Sequence, residues 1–252
     1  MDPAAMLLLA AGGAAIGAVG GLLGIGGGVI AVPLLLEVLA ARGLPPDAAT
    51  PIAIGTAQAV ILLSSVSAAL AHHRRGSVDA GLLRAWLPAV ALGGLAGLAL
   101  SPLLPVTLSL ASFALVSLAL AISLLRPAAA ATGTEIPRGP LPPAAIGLLS
   151  SALGVGAGTL SGPVLGMLGV PLTRAIGAGA VFNLAVATPA AIGFGAMGMV
   201  DIPATLLLAL PAMATAPGFA KLAARLPVGR LRLAFALCLL AIAARVGMRL
   251  LG

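Results

Sequence analysis

Apolar residues follow one another along this chain in long blocks separated by short polar interruptions, at about 6–38, 49–71, 80–100, 104–125, 144–169, 175–198, 202–220 and 231–251. A hydrocarbon core about 30 Å thick is crossed by about twenty apolar residues in helical form. The pattern therefore predicts helical, membrane-grade segments in a four-plus-four order, and no interruption is large enough to hold a core of its own. Between the fourth and fifth blocks the chain turns to Pro, Gly, Ala and charged residues, the composition of a linker. The expected organisation is a first transmembrane repeat over 1–126, a linker over 127–143 and a second repeat over 144–252.

The halves share landmarks. Gly24, Gly26, Gly28 and Pro33 recur 130 residues later as Gly154, Gly156, Gly158 and Pro163. Each Gly-rich segment leads into a Gly-apolar-Pro turn, Gly43-Leu44-Pro45 or Gly169-Val170-Pro171, and each following block ends in Gly-x-Val-Asp, at Asp79 or Asp201. Single tripeptides of this kind are weak signals, but their shared order is not. The fold class expected is an all-α polytopic membrane protein of two homologous four-segment repeats, inverted, each opening with a Gly-rich broken or re-entrant helix.

Composition agrees with the pattern. Hydrophobic residues make up 61% and charged residues 8% of the chain, where soluble domains carry about a quarter charged residues. The net charge of +7 would suggest nucleic acid in a soluble protein; here the basic residues sit between apolar blocks, where they set orientation, and no nucleic-acid partner is expected. The single Cys238 lies in the last block and reads as a small packed hydrophobe. Met1-Asp2-Pro3 offers no basic n-region, so the first block is expected to stay in the mature protein.

Basic residues also bear on the Gly-rich segments. With eight simple crossings they divide seven against six, which gives no orientation. With 144–169 as a re-entrant hairpin, ten fall on one side and only Arg42, Arg245 and Arg249 on the other, as the positive-inside rule expects. The repeat then makes 6–38 a hairpin too, inverts the halves and puts both termini outside the cytoplasm.

A break at membrane depth is tolerated only where protein or a wet cavity satisfies its backbone groups. The half-helix after it presents free N–H groups and a positive dipole end, and glycine allows a ligand close to the backbone; such a site prefers anions. Gly24, Gly26, Gly27 and Gly28 in the first half and Gly154, Gly156 and Gly158 in the second are the candidates, with Pro33 and Pro163 as helix-breaking residues. Close helix packing is the competing role for these glycines. Gln58 and Asn183 are amides deep in apolar helices, each able to donate two hydrogen bonds to oxyanion oxygens or to act as interhelical glue. Thr56, Thr159 and Ser161 are hydroxyl candidates, with bonding back to their own helix as the alternative. His72 and His73 end a span without a Cys or carboxylate cluster, so an interfacial anchor is expected, and neither a metal nor a cofactor. Asp79 and Asp201 are expected to cap the next helix.

The paired Gly clusters with Pro33 or Pro163, the Gly-x-Pro turns followed by Ala-rich helices from near Ala48 or Ala175, and the Gly-x-Val-Asp ends together resemble the sulfite exporter TauE/SafE family of membrane permeases over essentially the whole chain. The second cluster departs from the first in having Ala157 at the place of Gly27 and Ser161-Gly162 at the place of Ala31-Val32. The resemblance implies a multi-pass permease of a bacterial or archaeal cytoplasmic membrane, moving a small sulfur oxyanion or organosulfonate such as sulfite or sulfoacetate. The expected partners are that anion, the lipid bilayer and a second copy in a homodimer. A secondary carrier working by alternating access around a midplane site is the function expected, with an anion channel or a membrane subunit of a larger complex as the alternative. An intramembrane enzyme lacks its nucleophile and acid-base pairs here, so no catalytic residue is expected.

Overall fold

The computed structural model describes residues 2–23, 27–74, 76–125, 139–223 and 228–249. Within them all regular structure is helical: α1 (Pro3–Leu23), α2 (Gly28–Ala41), α3 (Pro46–Arg74), α4 (Ala80–Leu100) followed by one 3-10 turn (Ser101–Leu103), α5 (Val106–Leu125), α6 (Leu141–Leu153), α7 (Ala157–Met167), α8 (Leu172–Ala196), α9 (Ile202–Ala223) and α10 (Val228–Met248). Gly24 and Gly26 lie outside the described residues.

Six of these helices (α1, α3, α4 with its 3-10 turn, α5, α8 and α9) are long and apolar enough to cross a membrane. Gly28–Ala41, Leu141–Leu153 and Phe235–Met248 are shorter apolar helices. The chain is a multi-pass helical membrane protein. Large apolar side chains such as Leu7, Leu92, Leu103, Leu115 and Ile192 face outward, which in water would be a liability and in lipid is ordinary.

Each 6–38 and 144–169 block holds two helices. In the second, α6 ends at Gly154 in the left-handed region (φ 70°) and Gly156 (φ 92°) precedes α7, a conformation that costs glycine little because it has no Cβ. Pro33 and Pro163, expected to break their helices, instead lie inside α2 and α7. Proline's φ near −65° fits a helix, whereas the left-handed turn requires the glycines ahead of it.

Helix packing pairs α1 with α9, α4 with α6, α3 with α8, α5 with α10, α2 with α3, α7 with α8, α3 with α9 and α4 with α8. Small residues permit these approaches. Gly13 and Gly17 of α1 lie against the carbonyls of Leu208 and Ala212, so α1 runs parallel to α9; Gly93 and Gly97 of α4 lie against those of Ala144 and Leu148, so α4 runs parallel to α6. The central pair is antiparallel. Gly55, early in α3, sits under the Met199 carbonyl just past the end of α8, and Gly177, early in α8, sits under the Ser77 carbonyl just past the end of α3.

Ion pairs mark the two ends of the bundle. Asp79 Oδ1 accepts from the Gly81 and Leu82 amides and so caps α4, while its Oδ2 lies 3.4 Å from Arg174 of α8. Asp201 accepts from the Ala204 amide at the start of α9 and pairs with Arg42 at the end of α2. On the same end as Arg42, Glu37 near the end of α2 takes Arg245 at 3.0 Å and Arg249 at 2.7 Å, both at the end of α10. These ends are called below the Asp79 end and the Asp201 end.

Candidate functional site

The Ser150 carbonyl accepts from the Gly154 amide that ends α6, but the carbonyls after it and the first amides of α7 have no partners within their own helices and in a bilayer need them from elsewhere. The two buried amide side chains of the central antiparallel pair supply them. Gln58 of α3 donates through Nε2 to the Ser150 carbonyl at 2.8 Å and the Ser151 carbonyl at 3.3 Å. Asn183 of α8 accepts through Oδ1 from the Gly158 amide at 2.8 Å. Ser101 adds a bond from its hydroxyl to the Ala152 carbonyl at 3.0 Å. Gln58 thus closes the C-terminal side of the break and Asn183 the N-terminal side. The hydroxyls of Thr159 and Ser161 donate back to the Val155 and Gly158 carbonyls of their own segment. Thr56 turns to the Asp201 end, where its hydroxyl oxygen accepts from the Asp201 amide at 3.0 Å.

The start of α2 is finished differently. Gly27 precedes the helix and no side chain caps it; the Gly27 carbonyl accepts from the Ile30 and Ala31 amides. Gly28 is buried against Gly154 and Val155, so the start of α2 and the turn between α6 and α7 meet backbone to backbone. Sequence reasoning grouped all these residues in one site. The structure brings Gly27, Gly28, Gly154, Gly158, Gln58 and Asn183 to this junction, but assigns Gln58's donors to protein carbonyls and Asn183's oxygen to a helix cap.

A cavity of about 120 Å3 begins at Gly27 and Asn183 and runs between α1, α3, α8 and α9 to His72 and Lys221, near the ends of α3 and α9. Ser65 and Ser67 line its wall. Ser65 and Asn183 are each only 3% exposed. Lys221 gives the mouth positive character, and no carboxylate is among the described lining residues. The sequence marks none of Ser65, Ser67 and Lys221 as a site residue, and it gives His72 only the role of an interfacial anchor. Ser65 and Ser67 lie in the polar run Ser64-Ser65-Val66-Ser67 inside an apolar block, which was a legible signal; His72 and Lys221 stand at block ends, where a basic residue ordinarily reads as an anchor.

The fold is thus an all-helical multi-pass bundle with a largely apolar cavity between its helices, dotted with serines and Asn183 and reaching Lys221. The profile of the family described as Sulfite exporter TauE/SafE matches residues 9–246, and the chain belongs to that family. It is also similar to a protein of Haemophilus influenzae named "Probable membrane transporter protein", with 28% identity over 248 residues that cover 92% of this chain and 94% of the relative. No solved structure matches.

Proposed function

We propose that this protein is a secondary carrier of a small sulfur oxyanion or organosulfonate, such as sulfite or sulfoacetate, built from two inverted repeats around a central site. The packing directions support the inversion. α4 starts at the Asp79 end and α6 runs parallel to it, yet α7 leads into α8, which starts at that same end. α6 and α7 therefore enter and leave by one face, as a re-entrant hairpin. By the same steps α1 and α2 enter and leave by the Asp201 end. Gly55 and Gly177 are 122 residues apart, and so are the Ser77 and Met199 carbonyls they lie under. A two-fold axis lying in the membrane plane relates such halves. The positive-inside rule then makes the Asp79 end cytoplasmic.

The observation that carries the transport reading is the one-sided cavity. Ser64 of α3 and Ala216 of α9 both line it. Their counterparts 122 residues away, Val186 of α8 and Gly94 of α4, are in contact, with 3.1 Å between a Val186 methyl and the place a Cβ on Gly94 would take. The cavity between one helix pair towards the Asp79 end and the contact between its counterpart towards the Asp201 end support an asymmetry between the two halves. Exchange of the two arrangements between the halves would move access from one face to the other, which is alternating access. Counterflow of labelled sulfite in proteoliposomes tests this. Saturable uptake stimulated by internal unlabelled sulfite is expected; linear flux with single-channel currents would make the protein a channel.

A further inference from the structure

Asn183 caps the second helix break and lines the cavity that Gly27 of the first break also lines, and this points the ligand to one of the two breaks. At the second break the Gly158 amide is already taken by Asn183 Oδ1 and the Ser150 and Ser151 carbonyls by Gln58. At the first, the start of α2 carries no side-chain cap and Gly27 lines the cavity. Asn183 spends only its oxygen on the cap. Its residue also lines the cavity, so the Nδ2 group, a two-hydrogen donor, is left for what the cavity holds. Ser65, equally buried, lines the same space.

We infer that the cavity is the anion site, and that its ligand is a compact oxyanion held at the start of α2 by Asn183 Nδ2 and the Ser65 hydroxyl, with Lys221 at the mouth drawing it in. This rests on the carrier reading and corrects the symmetric picture of an anion between two helix tips. A buried donor facing empty apolar space is costly; an oxyanion meets Asn183, Ser65 and the positive helix start together. Size narrows the class. An apolar cavity of about 150 Å3 takes one benzene, so about 120 Å3 suits sulfite or a small sulfonate headgroup. Asn183 also couples site to fold, because an anion pulling on Nδ2 pulls through Oδ1 on the start of α7.

The test is Asn183→Asp in the purified protein, with sodium sulfite as the probe and apparent melting temperature and the fluorescence of the sole tryptophan as readouts. Trp86 stacks on Phe182, next in sequence to Asn183, with ring centroids 6.3 Å apart. Aspartate keeps an oxygen for the Gly158 amide, which suits a helix start, but replaces the donor with a charge that repels the anion. The variant is expected to melt near the wild type without ligand and to bind sulfite at least ten-fold more weakly, the loss expected for a hydrogen bond to a charged group. Ser65→Ala, which removes one hydroxyl and leaves every hydrogen bond described above intact, is expected to weaken sulfite about ten-fold. Wild-type sulfite affinity in either folded variant overturns the assignment, and should Asn183→Asp not fold, Ser65→Ala decides alone. A wild type that exchanges sulfite while both variants bind it normally refutes this site only; a wild type that neither binds nor exchanges sulfite refutes the sulfur-oxyanion carrier reading itself.

Discussion

Gly28→Ala is the sharpest probe of the junction between the two Gly-rich segments. A Cβ there would stand 2.7 Å from Ile61 Cδ1, 2.9 Å from the Val155 carbonyl carbon and closer still to the Gly154 oxygen. The Ile61 methyl can swing away; the backbone of the turn cannot. Ordinary contact begins at 3.4 Å, so the start of α2 and the turn must part by at least 0.5 Å (3.4 less 2.9). Overpacking of this kind costs about 1–3 kcal/mol, and the better helix propensity of alanine returns up to about 1 kcal/mol. The net loss is about 1–2 kcal/mol, which for a chain of this size lowers the melting temperature by about 2–8 °C. Gly162→Ala is the control. It lies within α7, and a Cβ there would meet nothing within 4 Å, so only the propensity gain of about 0.5–1 kcal/mol applies and the melt should rise by about 1–4 °C. Both are read from the apparent melting temperature in detergent. A Gly28→Ala protein that melts at or above the wild type would show that the two segments do not meet as described.

Gln58→Leu keeps the volume and removes the donor that the Ser150 and Ser151 carbonyls share; Ser150 keeps the Gly154 amide at 3.0 Å, so the Ser151 carbonyl is the one left unsatisfied, at about 1–3 kcal/mol. The melt should drop by several degrees while sulfite still raises it, since Gln58 closes the break and does not hold the anion, and an unchanged melt would remove this role. For the topology, a periplasmic reporter such as alkaline phosphatase should be active at either terminus, and a cytoplasmic one such as a fluorescent protein only when placed within 127–143. Termini reporting from the cytoplasm would refute the paired hairpins.

Much of this architecture is legible in the sequence because the bilayer imposes few and severe conditions. A segment with no water around it must be apolar over about twenty residues and must bond its own backbone, so block length and composition alone reveal a helical membrane protein, and Gly154 and Gly156 reveal where a helix stops. The capping aspartates are local as well: Asp79 and Asp201 serve amides two or three residues ahead, a distance that sequence spacing encodes. What lies across the bundle is not encoded that way. Gln58 reaches carbonyls over 90 residues on, and whether its amide serves a ligand or a broken helix depends on which helix end faces it. Asn183, an amide of the same chemistry, caps α7 through its oxygen and also lines the cavity, a pairing that depends on how α8 packs against its neighbours. The serines of α3, His72 and Lys221 come to line one cavity only through the packing of α1, α3, α8 and α9, while Val186 and Gly94 pack against each other. The blocks, breaks and caps follow from local chemistry, which a sequence carries in full; which carbonyls and amides a buried Gln58 or Asn183 meets comes from how distant helices pack, and only the tertiary structure decides that.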